Sequence, residues 1–183
     1  SKGINAENPK YNYKKNNNII NAGKITTLSQ FTVVSENRLV KKPKKLKSEE
    51  AILFGCAVPT GTGMVVNQIK IKKNNTVVVL GLGGIGLISL ITLISYKIEN
   101  IIVIDKSQKK LNKAKEWGIK FCFKNLNSNT MTKIVKMTNG GADFCIESAG
   151  QSKTIEFGFG LINKNHGKLI FASHPPEEEY IKI

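Results

Sequence analysis

Three glycines near the middle of the chain have the spacing that brings a backbone close to a phosphate. Gly81, Gly83 and Gly86 form the pattern Gly-x-Gly-x-x-Gly directly after an apolar, mostly β-branched run at residues 76–80. In such a turn the first glycine permits the tight bend, the second lets the backbone approach the phosphate, and the third allows helix and strand to pack closely. The segment therefore predicts a strand and a turn that hold a pyrophosphate.

An uncharged apolar stretch of helix length, residues 87–96, follows the turn. A helix that starts in the turn would present the amides of Gly84 and Ile85 at its N-terminus, where the helix dipole favours an anion. A glycine-rich turn in an ordinary α/β fold is the alternative interpretation, and it assigns these amides no ligand.

An acidic residue completes the pattern. The apolar run 101–104 ends at Asp105, 19 residues after Gly86. A carboxylate at this point accepts the hydroxyls of the adenosine ribose and repels a 2′-phosphate, so the pattern predicts a dinucleotide site that favours NAD over NADP. Lys106 weakens the preference, because a base beside the acid tolerates a phosphate. The alternative role for Asp105 is to cap the following helix.

The elements that must position these residues alternate along the chain. Strands are predicted at residues 76–80, 101–104, 121–123, 142–147 and 168–172, and helices at residues 87–96, 108–117, 131–137 and 152–161. This β-α-β alternation predicts an α/β fold with a Rossmann-type, doubly wound parallel sheet. A last strand is predicted to start at Tyr180 and to form a sheet edge.

The segment before residue 76 has weaker signals. Residues 1–24 are polar without a visible period, which predicts irregular structure. Residues 28–40 are predicted to form two short strands with a turn. A helix is predicted to begin at Ser48 and to be interrupted by the glycines and the proline of residues 59–63.

The net charge of +15 raises the possibility of nucleic-acid binding. All but one of the 28 basic residues are Lys, however, and Arg38 is the only Arg. Recognition of bases and phosphates favours the planar fork of Arg. We therefore interpret the charge as a solvated lysine surface that attracts anionic ligands, and we expect no nucleic-acid partner.

The three cysteines are Cys56, Cys122 and Cys145, an odd number without CxxC spacing. This argues against a disulfide framework and for a reduced, cytoplasmic setting. The chain alone is not expected to build a four-ligand zinc site. No apolar run has the length of a membrane span, and no membrane partner is expected. The first residues lack a signal-peptide core and an initiator Met, which favours a fragment of a longer protein.

Several motifs together resemble the zinc-dependent alcohol dehydrogenases of the medium-chain dehydrogenase/reductase superfamily. The motifs are the glycine turn and four further segments: residues 55–63, Asp105 with residues 109–118, residues 138–144, and Glu147. The resemblance covers about residues 28–176. It implies an oxidoreductase that transfers a hydride between an alcohol or polyol and NAD.

The resemblance also implies roles for individual residues. Cys56 takes the position of a thiolate ligand of the catalytic zinc, and Thr60 that of a threonine beside the nicotinamide. The cofactor-binding positions are Gly81, Gly83, Gly84, Ile85, Gly86, Asp105, Lys110 and Ala172. Ser173 falls beside Ala172 where main chain lines the nicotinamide, and His174 falls in the substrate pocket, where a polar side chain suggests a polar substrate.

The remaining zinc ligands of the family come from an earlier catalytic domain. Residues 1–45 are accordingly predicted to be the end of a GroES-like catalytic domain, and residues 46–183 an incomplete Rossmann domain. Zinc is expected in the whole enzyme and not in this chain, which is expected to bind NAD without turnover. A homodimer through the C-terminal edge strand is also expected. A non-catalytic, redox-sensing dinucleotide-binding module is the alternative function.

Overall fold

The computed structural model describes residues 13–15, 18–20, 30–32, 34, 36–172, 175 and 180–182, the first two segments by their backbone. The chain divides into two compact units, Ser1–Lys47 and Ser48–Ile183. The predicted domain boundary between residues 45 and 46 stays a prediction, as does the origin of the first residues as part of a catalytic domain.

The first unit contains a small antiparallel hairpin. Strand β1 (Tyr13–Lys15) pairs with strand β2 (Asn18–Ile20). The prediction of irregular structure was wrong for these strands, because three residues are too few to display an alternating pattern.

The two strands predicted within residues 28–40 are also absent from the part of that segment that the structure describes, and Glu36–Arg38 form a turn of 3-10 helix. Phe31 and Val40 are 84% and 93% exposed. Strand-forming side chains gain stability by packing on a half-buried sheet, and these two do not pack in that way.

The second unit contains a five-stranded parallel sheet in the order β5-β4-β3-β6-β7. The strands are β3 (Thr76–Leu80), β4 (Asn100–Ile104), β5 (Phe121–Phe123), β6 (Phe144–Glu147) and β7 (Lys168–Phe171). The predicted α/β fold with a Rossmann-type parallel sheet is thereby confirmed.

Six α-helices connect and precede these strands in the described residues. They are α1 (Ser48–Ala51), α2 (Ala57–Gly63), α3 (Gly84–Ser95), α4 (Gln108–Glu116), α5 (Ser128–Met137) and α6 (Ser152–Leu161). Helix α3 begins inside the glycine turn at Gly84, which agrees with the expectation that the amides of Gly84 and Ile85 lie at a helix N-terminus.

The predicted interruption of the helix at residues 59–63 is wrong. Helix α2 passes through this segment and continues as a π-helical turn, Met64–Gln68. Pro59 is tolerated because it lies in the first turn, where a backbone amide has no helical partner to lose. Gly61 is explained by packing, since an added methyl group would lie 2.6 Å from the carbonyl oxygen of Ile85 in α3.

The core forms two layers, one on each face of the sheet. Val77 and Val79 of β3 pack into the layer below helices α3 and α4, and Val78 and Leu80 pack into the layer below α5 and α6. All four side chains are at most 2% exposed. Burial on both faces explains why the strands are continuous apolar runs in the sequence.

The strand predicted from Tyr180 is absent at the described residues 180–182. There the backbone N–H of Lys182 donates a hydrogen bond to Glu156 Oε1 at 2.8 Å, which provides the amide with a side-chain partner in place of a sheet ladder. Strand β7 is instead the last strand of the sheet in the described residues. None of the described helices has the length and apolarity that crossing a membrane requires.

Candidate dinucleotide-binding site

A crevice opens at the carboxyl ends of the strands, where the chain order of the sheet reverses at β3. In open α/β sheets this reversal point is where ligands bind. The crevice contains a cavity of about 600 Å³, a size typical of small-molecule sites. Residues that follow four neighbouring strands line the cavity, among them Gly81, Gly83, Asp105, Ser107, Lys110, Lys124, Asn127, Ser148, Ala149 and Gln151.

Two glycines of the turn are required by the fold itself. Gly81 has a positive φ of 90°, and an added methyl group would lie 2.9 Å from the backbone nitrogen of Ala149. A methyl group at Gly86 would collide with the carbonyl oxygen of Gly81 and with Ser148 Oγ. These positions accept only glycine because backbone and helix approach one another too closely for a Cβ.

The other two glycines of the turn have open space beside them. A methyl group at Gly83 would have its nearest neighbour at 4.0 Å, and one at Gly84 at 3.7 Å. Gly83 caps helix α3 without a side chain, so the amides of Gly84 and Ile85 in the first turn receive no side-chain cap from it. The turn therefore has both the room and the donors that a pyrophosphate needs.

Asp105 connects the end of β4 to the glycine turn. Its Oδ2 accepts the backbone N–H of Leu82 at 2.6 Å, and its Oδ1 accepts the backbone N–H of Ser107 at 2.7 Å. Lys110 Nζ lies 3.8 Å from Oδ2. The carboxylate is 8% exposed and lines the cavity. Asp105 thus supports the loop before α4, while each oxygen retains a lone pair for a ligand hydroxyl.

Glu147 supports the opposite wall of the crevice and was not predicted as a site residue. It is completely buried, and its Oε1 accepts the amides of Ala149 and Gly150 at 2.8 and 2.9 Å and the Thr154 hydroxyl at 2.7 Å. The neighbouring Ser148 hydroxyl donates to the carbonyl oxygen of Gly81 at 2.9 Å. The sequence contained one signal that could have identified Glu147: it is an acidic residue at the end of an otherwise apolar strand.

Cys56 and Thr60 lie one helical turn apart at the start of α2. The backbone N–H of Thr60 donates to the carbonyl oxygen of Cys56 at 3.0 Å, and the Cys56 side chain is exposed. Helix α2 packs against the start of α3, with Ala57 Cβ 3.7 Å from where a methyl group at Gly84 would lie. Both predicted residues therefore lie near the glycine turn, although neither lines the cavity.

The cavity brings together only part of the predicted site. Gly81, Gly83, Asp105 and Lys110 line it, whereas Gly84, Ile85, Gly86 and Ala172 are not among its described lining residues. Ala172 follows β7 and its amide donates to the carbonyl oxygen of Glu147 at 3.3 Å. Ser173 and His174 lie outside the described residues.

The other two cysteines belong to the sheet. Cys145 in β6 is buried, and this burial together with the charge of Glu147 raises the pKa of its thiol far above the ordinary value. Burial also raises the pKa of Cys122, against the opposing effect of Lys115. Both thiols therefore stay protonated at neutral pH and behave as apolar side chains.

A metal site would need several ligands close together. Among the residues described here, no three His, Cys, Asp or Glu side chains form such a group. The catalytic zinc of a dehydrogenase takes three protein ligands. Cys56 by itself does not provide them, so no chemical step is assigned to a metal within these residues.

Comparisons with known proteins place this geometry in a family. The family described as zinc-binding dehydrogenase matches residues 84–183. Alcohol dehydrogenase class-2 isozyme 2 of Oryctolagus cuniculus is 37% identical over 134 residues, which cover 72% of this chain and 35% of that protein.

Solved structures agree with this assignment. Benzyl alcohol dehydrogenase from Acinetobacter calcoaceticus superposes with a TM-score of 0.70 at 26% identity, over 78% of this chain and 39% of its own. An alcohol dehydrogenase zinc-binding domain protein from Burkholderia ambifaria, at 22% identity over 82% of this chain and 40% of its own, shares the fold with a TM-score of 0.73. The chain spans between 35% and 40% of the length of these three proteins. These matches show that the chain belongs to the zinc-binding dehydrogenase family and covers the dinucleotide-binding region of that family.

Proposed function

We propose that this chain binds NAD in the crevice at the carboxyl ends of its strands. The observation that carries the proposal is the convergence of Gly81, Gly83, Asp105 and Lys110 on one cavity. The pyrophosphate would lie against Gly83 and the first-turn amides of α3, where small size and the helix dipole favour an anion. The ribose hydroxyls would bind Asp105, with Lys110 beside them.

The wider proposal is that the chain is the NAD-binding part of a zinc-dependent alcohol or polyol dehydrogenase. Bound NAD supplies the acceptor for a hydride from the alcohol carbon. In this proposal Thr60 and Ala172 line the nicotinamide, Cys56 provides one zinc ligand, and His174 enters the substrate pocket. Family membership and the position of Cys56 and Thr60 near the glycine turn support these roles.

The chain alone is proposed to bind NAD without oxidising an alcohol. One thiolate retains zinc too weakly to polarise an alcohol oxygen, because catalytic zinc sites use three protein ligands. Turnover of ethanol or sorbitol with NAD by the chain, measured with and without added zinc, would contradict the proposal that the chain alone is inactive.

A cytoplasmic location remains part of the proposal, together with the expectation of no membrane partner.

Calorimetry with the Gly83→Ala variant tests the binding site. The methyl group fits the protein, since its nearest neighbour would be 4.0 Å away, but it occupies the space where the pyrophosphate approaches. We expect the free energy of unfolding to fall by at most about 1 kcal/mol, because alanine is a poorer N-cap than glycine. NAD affinity should fall by at least about tenfold, or ~1.4 kcal/mol. Gly63→Ala is the control, because it adds a methyl group to α2 with its nearest neighbour at 3.7 Å.

Two results would overturn the binding site. One is the absence of any heat when the wild-type chain is titrated with millimolar NAD. The other is equal NAD affinity in wild-type protein and the Gly83→Ala variant, because a pyrophosphate against this turn leaves no room for a Cβ.

The alternative function, a non-catalytic redox-sensing module, makes a different prediction about the gene. It expects no coding sequence for a catalytic domain upstream of these residues, whereas the dehydrogenase proposal expects one.

The homodimer also stays a proposal, with β7 replacing residues 180–182 as the edge strand through which two copies would pair. A monomeric mass by light scattering at high protein concentration would contradict it.

A further inference from the structure

Glu147 is a carboxylate inside a sheet whose other buried strand residues are apolar. It ends β6 and is completely buried. Taking a carboxylate out of water costs free energy, and hydrogen bonds must compensate that cost. An apolar side chain at this position would stabilise the sheet without such a cost. The role of the acid is therefore to be found in the segment that it contacts.

The hydrogen-bond donors of that segment converge on one carboxylate oxygen. Glu147 Oε1 accepts the backbone N–H groups of Ala149 and Gly150 at 2.8 and 2.9 Å, and the Thr154 hydroxyl at 2.7 Å. Gly150 has a positive φ of 80°, a conformation that helps to turn two successive amides toward a single acceptor. The carboxylate thus fixes the loop after β6 and the first turn of α6.

This segment forms one wall of the cavity. Ala149, Gln151 and Thr154 line the cavity together with Asp105, the proposed ribose ligand. Glu147 is not among the lining residues, so it acts on a ligand through the wall. A wall that already has its binding conformation loses less conformational freedom when the ligand binds, and the affinity is correspondingly higher.

The same wall contacts the glycine turn. The Ser148 hydroxyl donates to the carbonyl oxygen of Gly81 at 2.9 Å. The Ala149 nitrogen, whose N–H group donates to Glu147, would lie 2.9 Å from a methyl group at Gly81. A displacement of the wall would therefore also displace the turn on the other side of the cavity.

We propose that Glu147 is a positioning residue for the dinucleotide, which holds the loop after β6 in the conformation that receives the adenosine half. The inference rests on the proposed NAD site, because it needs the cofactor in this cavity. It assigns an effect on affinity to a buried acid that does not contact the ligand. The lining residues Ala149, Gln151 and Thr154 transmit this effect.

Calorimetry with the Glu147→Gln variant tests the inference. Glutamine has nearly the same shape, but it is neutral, so its hydrogen bonds to the loop are about half as strong. It also places an NH₂ group where the carboxylate has an oxygen. We expect NAD affinity to fall at least about fivefold in the folded variant. AMP affinity should fall by the same factor, because AMP contains the adenosine half that the wall contacts.

The sign of the change separates positioning from two other effects. A carboxylate that acted on the ligand only through its charge would repel the phosphates, so its removal would raise NAD affinity. A carboxylate that only stabilised the fold would leave the affinity of the folded variant unchanged. Circular dichroism before each titration establishes that the variant is folded.

Asp143→Asn is the matched control, because Asp143 is a carboxylate at the opposite end of the same strand that also accepts a backbone N–H group. It does not line the cavity. We expect this variant to unfold at a lower urea concentration than wild type, with NAD affinity within about twofold of the wild-type value.

Thr154→Val provides a second variant in case Glu147→Gln does not fold. It keeps the carboxylate and its two amide partners and removes only the hydroxyl group. NAD affinity should fall at least about threefold, whereas Thr154→Ser, which retains the hydroxyl group, should stay within about twofold of wild type.

Several results would overturn the inference. Unchanged or higher NAD affinity in the folded Glu147→Gln variant would do so and would leave the NAD site intact. A loss of NAD affinity without any loss of AMP affinity would contradict the assignment to the adenosine wall. Equal NAD affinity in Thr154→Val and wild type would likewise count against it. Absence of NAD binding by the wild-type chain would overturn the proposed function, and the inference with it.

Discussion

Asp105 serves the fold and the site with one carboxylate. It fixes the glycine turn through Leu82 and the start of the α4 loop through Ser107, and it faces the cavity from between them. Buried carboxylates are stable only when such donors surround them. The same side chain is therefore a structural brace and the proposed ribose ligand, which a sequence pattern cannot separate.

The Asp105→Asn variant measures both roles. The amide oxygen accepts one backbone N–H, but the NH₂ group cannot accept the other, so a buried donor loses its partner. We expect the free energy of unfolding to fall by about 1–3 kcal/mol. Urea denaturation measures this loss, and NAD affinity should fall in parallel by about tenfold.

Glu116→Gln is a suitable control for this variant, because Glu116 is an exposed carboxylate outside the cavity. Its unfolding free energy should stay within about 0.5 kcal/mol of the wild-type value. An Asp105→Asn protein as stable as wild type would contradict the bracing role, and unchanged NAD affinity would contradict the ribose role.

At the scale of elements, the close contact of α2 with α3 positions the glycine turn. The Ser89 hydroxyl of α3 donates to the carbonyl oxygen of Gly61 at 3.0 Å, and the hydroxyls of Thr62 and Thr92 lie 3.3 Å apart. Small and hydroxyl side chains allow this approach. Thr60 lies in α2, near the glycine turn. The distance between α2 and α3 therefore affects where Thr60 lies relative to the proposed nicotinamide position.

Gly61→Ala and Gly63→Ala separate packing from helix propensity. A methyl group at Gly61 would lie 2.6 Å from the carbonyl oxygen of Ile85, whereas one at Gly63 would meet nothing closer than 3.7 Å. We expect Gly61→Ala to lose about 1–3 kcal/mol of unfolding free energy through overpacking. Gly63→Ala should be neutral or gain up to about 1 kcal/mol, because alanine favours helix.

Thermal or urea denaturation of the two variants provides the measurement. Equal stability would mean that α2 and α3 separate readily, which would contradict a tight helix pair. NAD binding is an independent readout, because a displaced α3 moves the first-turn amides.

A second contact between elements lies at the opposite end of the sheet. Asp143 Oδ2 accepts the backbone N–H of Thr76 at 2.7 Å, and its Oδ1 lies 2.9 Å from Nε2 of His166. Its carbonyl oxygen accepts the backbone N–H of Lys168 at 2.9 Å. Asp143 thus joins the starts of β3 and β7 from the residue before β6.

This contact predicts a pH dependence of stability. Partial burial by itself raises the pKa of Asp143, but hydrogen bonds from Thr76, Asn75 and His166 outweigh that effect and hold the pKa below the ordinary 3.8. A lowered folded-state pKa means that the unfolded chain binds the proton more readily. The stabilisation is therefore complete above the ordinary pKa and is lost as pH falls through the folded-state pKa.

The Asp143→Asn variant tests this sign. We expect it to be less stable than wild type at pH 7 and at pH 5, and the difference to shrink as the pH falls below the ordinary pKa of the carboxyl group. Urea titrations at these pH values provide the comparison. A difference that grew on acidification would contradict the assigned direction.

At the scale of the whole molecule, the net charge of +15 is expected to aid the capture of an anionic cofactor rather than of nucleic acid. Three lysines, Lys106, Lys110 and Lys124, line the described cavity of about 600 Å³ at the carboxyl ends of the strands. Non-specific attraction to a duplex falls steeply with salt because it depends on counterion release.

A gel-shift assay with a generic DNA duplex tests this expectation. We expect no complex at about 0.15 M salt and micromolar protein, and at most a weak one at low salt. A complex that persists at physiological salt would contradict the assignment of the lysines to a solvated surface. Free NAD at millimolar concentration is the competitor that identifies whether such a complex uses the crevice.

The parallel sheet and the position of the crevice in the second unit can be predicted from the amino-acid sequence. Its parallel strands are buried on both faces, so they are continuous β-branched runs, and glycine and acid mark where the crevice lies. That information identified four residues of the cavity lining, Gly81, Gly83, Asp105 and Lys110. The continuous helix at residues 59–63 and the hairpin of β1 and β2 were not predicted. Local propensity describes single residues and contains no information about the segment that a helix or strand packs against.

The set of residues from separate strands that line one crevice is visible only in the folded chain. Ser148 and Lys124 are far from the glycine turn in sequence, and they line the same cavity as Gly81 and Gly83 because parallel strands end at the same edge of a sheet. The requirement for glycine at positions 81 and 86 likewise depends on the close approach of Ala149 and Ser148, which follow β6, and of the carbonyl oxygen of Gly81 itself. The spacing of the glycines predicts a phosphate-binding turn. Contacts with segments that are distant in sequence determine at which of these positions a Cβ would collide.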